Sequence, residues 1–156
     1  MAVAFDAKPT AWNSLDGLNQ EGNNVTSVSA STGFVVGGSA SLLAGVIHVQ
    51  NNNGSTDPGT VSMTWDGGAM SAGPTAVNSA NRSALFYKTS PATGTKILAA
   101  SWTASSDAYM SAASFTGTDT TTGINAADSV SGTSGTTVTV TSTTDDATVA
   151  LWGTNG

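Results

Sequence analysis

The sequence predicts an all-β protein, a single domain built as an antiparallel sandwich or barrel of about ten short strands. Three observations lead there. Alternating or β-branched runs recur at a spacing of roughly 8–12 residues, the spacing of a sandwich or barrel. Gly, Asn, Asp and Pro separate these runs, and each favours reversal of the chain for its own steric reason. Nearly a third of the 156 residues are Ser or Thr, 18 are Gly, and charged residues make up only 9%. Low charge with abundant hydroxyls departs from the charge-rich composition of disordered chains and fits sheets with hydroxyl-covered polar faces.

The elements follow in order. Ala2–Asp6 reads as a first strand. Lys8–Asn24 is polar, with Trp12, Leu15 and Leu18 embedded in it. Leu15 and Leu18 allow one helical turn, against which Gly17 and Gly22 weigh. Val25–Ser31 alternates, Val25, Ser27 and Ser29 against Thr26, Val28 and Ala30. Ser41–Gln50 is the most apolar stretch, and an unbroken apolar run of this length fits a central strand buried on both faces. Within it His48 is expected to be hydrogen-bonded or to face outward. Asn51–Gly59 then forms a surface loop.

Thr60–Trp65 places Val61, Met63 and Trp65 on one face. Asp66-Gly67-Gly68 reverses the chain, because tight hairpins want positive φ at both central positions. Ala69–Ala72 reads as the return strand and Gly73–Asn81 as a connection. Ser83–Lys88 sets Leu85 and Tyr87 against Phe86. After a turn at Ser90–Gly94, Thr95–Trp102 and Ala108–Thr116 read as two strands on either side of a turn at Ser105-Ser106-Asp107. Thr118–Asn125 is a Thr-rich loop. Ala126–Ser131, Thr136–Ser142 and Ala147–Trp152 complete the list. Val149, Leu151 and Trp152, close to the end of the sequence, need covering by the sheet, by further residues of a longer polypeptide or by a neighbouring subunit.

A domain of this length can bury roughly 70% of its unfolded surface and needs no metal or disulfide to hold it. The net charge of −6, with only four Lys and Arg, argues against nucleic acid and against an anionic membrane surface. There is no cysteine, which excludes disulfides and thiolate metal sites. The start of the chain lacks the pattern of a signal peptide, and no run approaches the length of a spanning helix. Synthesis in a cytoplasm without export is the expectation.

Chemistry is poorly provided for. His48 is the only histidine, it lies mid-strand, and no Gly-x-Ser-x-Gly elbow surrounds a serine. Asp66, Asp107 and Asp145–Asp146 sit at turns, where Asp bonds local backbone. Gly37-Gly38 has no lysine to contact a phosphate, and a zinc site has too few ligands. No cofactor is expected beyond a structural calcium ion, for which loop oxygens around Asp57, Asp119 and Asp128 are candidates. Trp65, Trp102 and Trp152 lie in apolar strands and read as core, with a sugar-stacking platform as the alternative. Trp12 reads as exposed.

Several segments together resemble a family of β-sandwich domains found in phage virion proteins and bacterial surface proteins. They are Ala4-Phe5-Asp6-Ala7, Leu42–Val49, and Val61-Ser62-Met63-Thr64-Trp65-Asp66-Gly67-Gly68-Ala69-Met70. Ala84-Leu85-Phe86-Tyr87, Pro91-Ala92-Thr93-Gly94-Thr95 and Ala113-Ser114-Phe115-Thr116-Gly117-Thr118-Asp119 follow. The similarity covers residues 2–152 and includes no catalytic residues. It implies a single antiparallel jelly-roll or immunoglobulin-like β-sandwich displayed on the outside of a particle or cell.

The function expected from this reading is not enzymatic. It is that of a virion structural protein, a capsid decoration (cement) protein on the outer surface of the particle. Its partners would be the major capsid protein or other virion subunits, with a homo-oligomer as a further form. Residues 1–24 form the candidate docking segment, and Phe5, Trp12, Leu15, Leu18, Asn52 and Asp57 the candidate interface. The alternative is a glycan-binding or adhesive module of a tail fibre or surface protein.

Overall fold

A computed structural model of the chain describes residues 3–7, 19–30 and 35–121, together with positions 124, 139–141 and 149. Ten strands and no helix are found among them: β1 (Ala4–Ala7), β2 (Asn19–Ala30), β3 (Val35–Val36), β4 (Leu42–Asn51), β5 (Ser62–Trp65), β6 (Gly68–Ala69), β7 (Ser71–Asn78), β8 (Asn81–Thr89), β9 (Gly94–Thr95) and β10 (Leu98–Thr116). Eight of them form one curled antiparallel sheet in the order β6-β5-β10-β4-β8-β7, with β1 and β2 also paired to β10. β3 and β9 form a second, two-stranded sheet.

The sheet is organised around β10, a single strand of 19 residues. Its first part, Leu98–Ser101, lies between β2 and β5. Its second part pairs with β4 over Ser106–Phe115, while β1 joins it at Ser114–Thr116. The expected turn at Ser105-Ser106-Asp107 is therefore not a turn. Ser106 is fully buried, and its Oγ donates to the carbonyl of Ala104 at 2.9 Å, so its polarity is satisfied locally. The Ala104 amide donates to Pro58 O at 2.9 Å. The register against β2 shifts here, and a shift of this kind bends a strand without ending it.

Three further expectations are corrected. Residues 19–24, read as part of a polar segment, are the first half of the 12-residue strand β2. Asn24 takes φ 73° where the pairing with β10 slips, a conformation Asn tolerates better than most side chains. The connection Gly73–Asn81 is largely strand β7. Pro74 is admissible there because β7 is the outermost strand, and the register shifts between Ala72 and Thr75. The single return strand Ala69–Ala72 is split between β6, which pairs with β5, and β7, which pairs with β8. With β10 and β2 so long, the strands are not uniformly short. Of the closing strand candidates, Ala126–Ser131 lies outside the described residues. Positions 139–141 and 149, the described parts of the other two, hold no strand.

The expected strand Thr95–Trp102 is also divided, Thr95 belonging to β9 of the small sheet while β10 begins at Leu98. Several of the remaining elements match. β4 is central and buried over most of its length. Trp65 pairs with Gly68 across a two-residue turn in which Asp66 and Gly67 have φ 52° and 74°. Both values lie in the left-handed region that this hairpin demands. Val61, Met63 and Trp65 are buried together. With Leu43, Ile47, Val49, Phe86, Leu98, Trp102 and Met110 they belong to one apolar cluster. Removing that surface from water is the main stabilising term, at roughly 25 cal/mol per Å2. β5 also reaches across β4 without hydrogen-bonding to it. A Cβ on Gly45 would collide with the Met63 sulfur, so the absence of a side chain on β4 makes room for one from β5.

A candidate contact surface

Of the large apolar side chains, Phe5 is the most exposed among the described residues, at 68%. It is nonetheless held firmly. β1 pairs antiparallel with β10, placing Phe5 opposite Phe115. The two rings lie 4.9 Å apart between centroids and are tilted by 32°, with Phe115 buried beneath. This tilted arrangement suits two ring quadrupoles. The next residue, Asp6, accepts hydrogen bonds from the Gly37 amide and the Ser114 hydroxyl, each at 2.7 Å. Glycine at 37 lets the Asp6 carboxylate lie against the backbone, where a Cβ would displace it. The clasp also draws the small β3–β9 sheet toward β1, and Val35 on β3 and Ile97 just after β9 are both about half exposed.

The other candidate interface residues fare differently. Asp57 is committed inward. Arg82 grips it in a two-pronged ion pair, Nε to Oδ1 at 3.0 Å and one terminal nitrogen to Oδ2 at 2.6 Å. The Gly59 amide adds a third bond. These bonds, the Arg82 pair first, hold the Asp57 carboxyl below the usual carboxylate range. Asp57 thus ties the Asn51–Gly59 loop to β8. Asn52 is exposed and donates to Asp107 Oδ1 at 3.3 Å. Trp12, Leu15 and Leu18 lie outside the described residues. Of segment 1–24, residues 4–7 and 19–24 are strands paired with β10.

A second surface was not anticipated from the sequence. On β2, β10 and β5 the outward positions form two cross-strand rows, Ser27–Ser101–Ser62 and Ser29–Ala99–Thr64. They line a shallow groove of about 260 Å3. Ser62 and Ser101 share a hydrogen bond at 2.9 Å. The alternation of Val25–Ser31 carried part of this signal. The rest depends on which strands become neighbours.

His48 is buried, and its Nδ1 is 2.9 Å from the hydroxyl of Ser83, its cross-strand partner. Its Nε2 and the buried Oδ1 of Asn81 have no partner within hydrogen-bond geometry. Burial pushes the imidazole below its ordinary value of 6.5, more strongly than the nearby Asn81 amide raises it. The ring is therefore neutral at pH 7 and joins β4 to β8.

The ionic groups are likewise engaged within the frame. Lys96 pairs with Asp66 at 3.2 Å, Lys88 donates to Ala69 O, and Asp119 accepts from the Thr121 amide. Of the calcium candidates, Asp57 and Asp119 are thus in separate local arrangements, and Asp128 lies outside the described residues. No cluster of three or more His, Cys, Asp or Glu occurs among the described residues. Trp65 and Trp102 are core residues, and Trp65 Nε1 donates to Ala92 O at 2.8 Å. No helix among the described residues is long and apolar enough to cross a membrane.

Comparison with known proteins yields no match to a family model, to a curated protein or to a solved structure. The likeness to virion and surface domains rests on the sequence motifs alone.

Proposed function

We propose that this protein is a contact domain of a phage virion, a capsid decoration protein that docks on shell subunits at the outer surface of the particle. The observation that carries the reading is Phe5, an aromatic side chain exposed yet fixed by a stacked ring below it and a carboxylate clasp beside it. An anchor ordered before binding loses little entropy on docking, and aromatic anchors dominate interface energies. The engagement of Arg82, Lys88 and Lys96 within the fold favours a protein partner over nucleic acid. Repetition of a modest contact over many shell sites would supply the strength.

The same reading takes the curled sheet to close as a sandwich of the jelly-roll or immunoglobulin-like kind. Its support is the packing of Met63 over Gly45, which lays β5 across the face of β4. The glycan-binding alternative is weakened by the burial of Trp65 and Trp102, two of its four candidate stacking rings.

The test is co-sedimentation with shells that lack the protein. Wild type should bind and raise the heat resistance of the shells, and Phe5→Ala should weaken binding at least tenfold while keeping the wild-type fold. Unchanged binding by Phe5→Ala, or shells indifferent to the protein, would contradict the proposal. Retention on a glycan array in place of shell binding would favour the alternative.

A further inference from the structure

The Asn51–Gly59 loop carries a chemical feature unrelated to docking. Beyond Asn51, the last residue of β4, its tip reads Asn52-Asn53-Gly54, and Asn53 and Gly54 are exposed. The side-chain carbonyl of Asn53 does not point freely into water. Its Oδ1 accepts hydrogen bonds from two successive backbone amides, Ser55 and Thr56, each at 3.1 Å. Gly54 follows directly with φ 72°, and a Cβ placed there would meet nothing within 4 Å.

We infer that Asn53 is a site of intramolecular deamidation, promoted by the loop that holds it. The Gly54 nitrogen attacks Cγ of Asn53, forming an N–Cγ bond and a tetrahedral oxyanion on Oδ1. The amides of Ser55 and Thr56 are already aimed at that oxygen and stabilise the charge as it develops, as donors in an oxyanion hole do. The Cγ–Nδ2 bond then breaks. Ammonia leaves with the proton lost from the Gly54 nitrogen, and the product is a five-membered succinimide. Water opens the ring at either carbonyl, giving aspartate or isoaspartate, with no oxidant or reductant involved.

The neighbouring residues set the selectivity. Gly54 offers no side chain to obstruct its nitrogen. Its N–H donates to Asn51 O at 3.1 Å, a bond at the exposed tip of a loop, where local opening costs little. Asn52 is followed by a residue with a side chain, and its amide is turned toward Asp107. Asn51 and Asn81 are buried. The product carboxylate at 53 would keep the same two donors and add one negative charge to the loop tip.

The experiment is peptide mapping with isoaspartate detection after timed incubation of the full chain at mildly alkaline pH. Folded wild type, wild type unfolded in urea, and folded Gly54→Ala are followed in parallel. Asn53 should convert first among Asn51, Asn52, Asn53, Asn78 and Asn81, at a rate in the folded chain no lower than in urea. Gly54→Ala should slow it at least tenfold. An Asn53 that stays intact in the folded chain while it converts in urea would overturn the inference, and so would a Gly54→Ala chain reacting at the wild-type rate.

Discussion

The two halves of β10 belong to one strand yet face different surroundings. From Leu98 to Ser105 it alternates cleanly. Leu98, Ala100 and Trp102 are buried, while Ser101, Thr103 and Ser105 are open to solvent. The alternation continues to Met110, with Ser106, Ala108 and Met110 buried and Tyr109 46% exposed, and from Ser111 to Phe115 it gives way to burial on both faces. Met110 and Ala112 belong to the main core, while Ser111 and Phe115, on the opposite face, are buried as well. The difference arises from neighbours. The first half has β2 and β5 beside it and a bare outer face, whereas the second lies at the centre of the sheet beside β4. A strand can thus serve as surface at one end and as core at the other, the change coming after the exposed Tyr109 and beyond the register irregularity at Ser106.

Substitutions that break this contrast should have graded effects. The largest are expected for Trp102→Ala in the first half and Phe115→Ala in the second, each costing about 3–5 kcal/mol in urea denaturation. Equal losses from opposite faces of the strand would confirm that the outer face, open at Tyr109, is closed at Phe115. Ser111→Leu should cost about 1–3 kcal/mol by overpacking, where the same change on an open face would be harmless. Arg82→Ala, which releases the loop from β8 and leaves Asp57 unpaired, should cost about 1 kcal/mol, since the pair is only partly buried. It should also raise the Asp57 titration toward the ordinary carboxylate range, a shift readable by NMR.

The pH dependence should be gentler and has a definite sign. His48 in the folded chain binds its proton less readily than at the unfolded value of 6.5. The unfolded state therefore takes up more protons below that pH, and stability is lost as pH falls from 6.5 through the lowered folded value. The depressed Asp57 adds a separate loss only as pH falls below 3.8. Denaturation midpoints between pH 7 and 5 should decline in wild type and lie flat in His48→Gln. The smallest effect is expected for Ser101→Val on the hydroxyl face, within about 0.5 kcal/mol.

What the residues disclosed in advance follows the same division. At Val61–Trp65 alternation gave the strand and the face shared by Val61, Met63 and Trp65, and at Ser83–Lys88 it gave the strand and the separation of Phe86 from Leu85 and Tyr87. The Asp66-Gly67 hairpin was legible because its backbone requirement is local. Ser105-Ser106-Asp107 was misread because turn-forming residues carry the same signature when a buried hydroxyl bonds its own backbone in the middle of a strand. β7 was missed because Gly73 and Pro74 are poor strand residues everywhere except at a sheet edge, and edge position is a property of the whole fold. On the contact surface, the exposure of Phe5 follows from the pairing of β1 with β10 and is not stated by so short a run of residues. The engagement of Asp57 by Arg82, 25 residues away along the chain, and the juxtaposition of Ser27, Ser62 and Ser101 depend on pairings that no local pattern encodes.

The continuity of β10 through Ser106 is the claim on which the two-sided description stands, and amide hydrogen exchange tests it residue by residue. The Ala104 amide, bonded to Pro58 O, and the ladder amides that follow it should be protected and should open in one cooperative step with Leu98–Ser101. Exchange at the free-chain rate from Ala104 to Asp107, with the flanking segments opening independently, would show two strands joined by a turn and contradict the account.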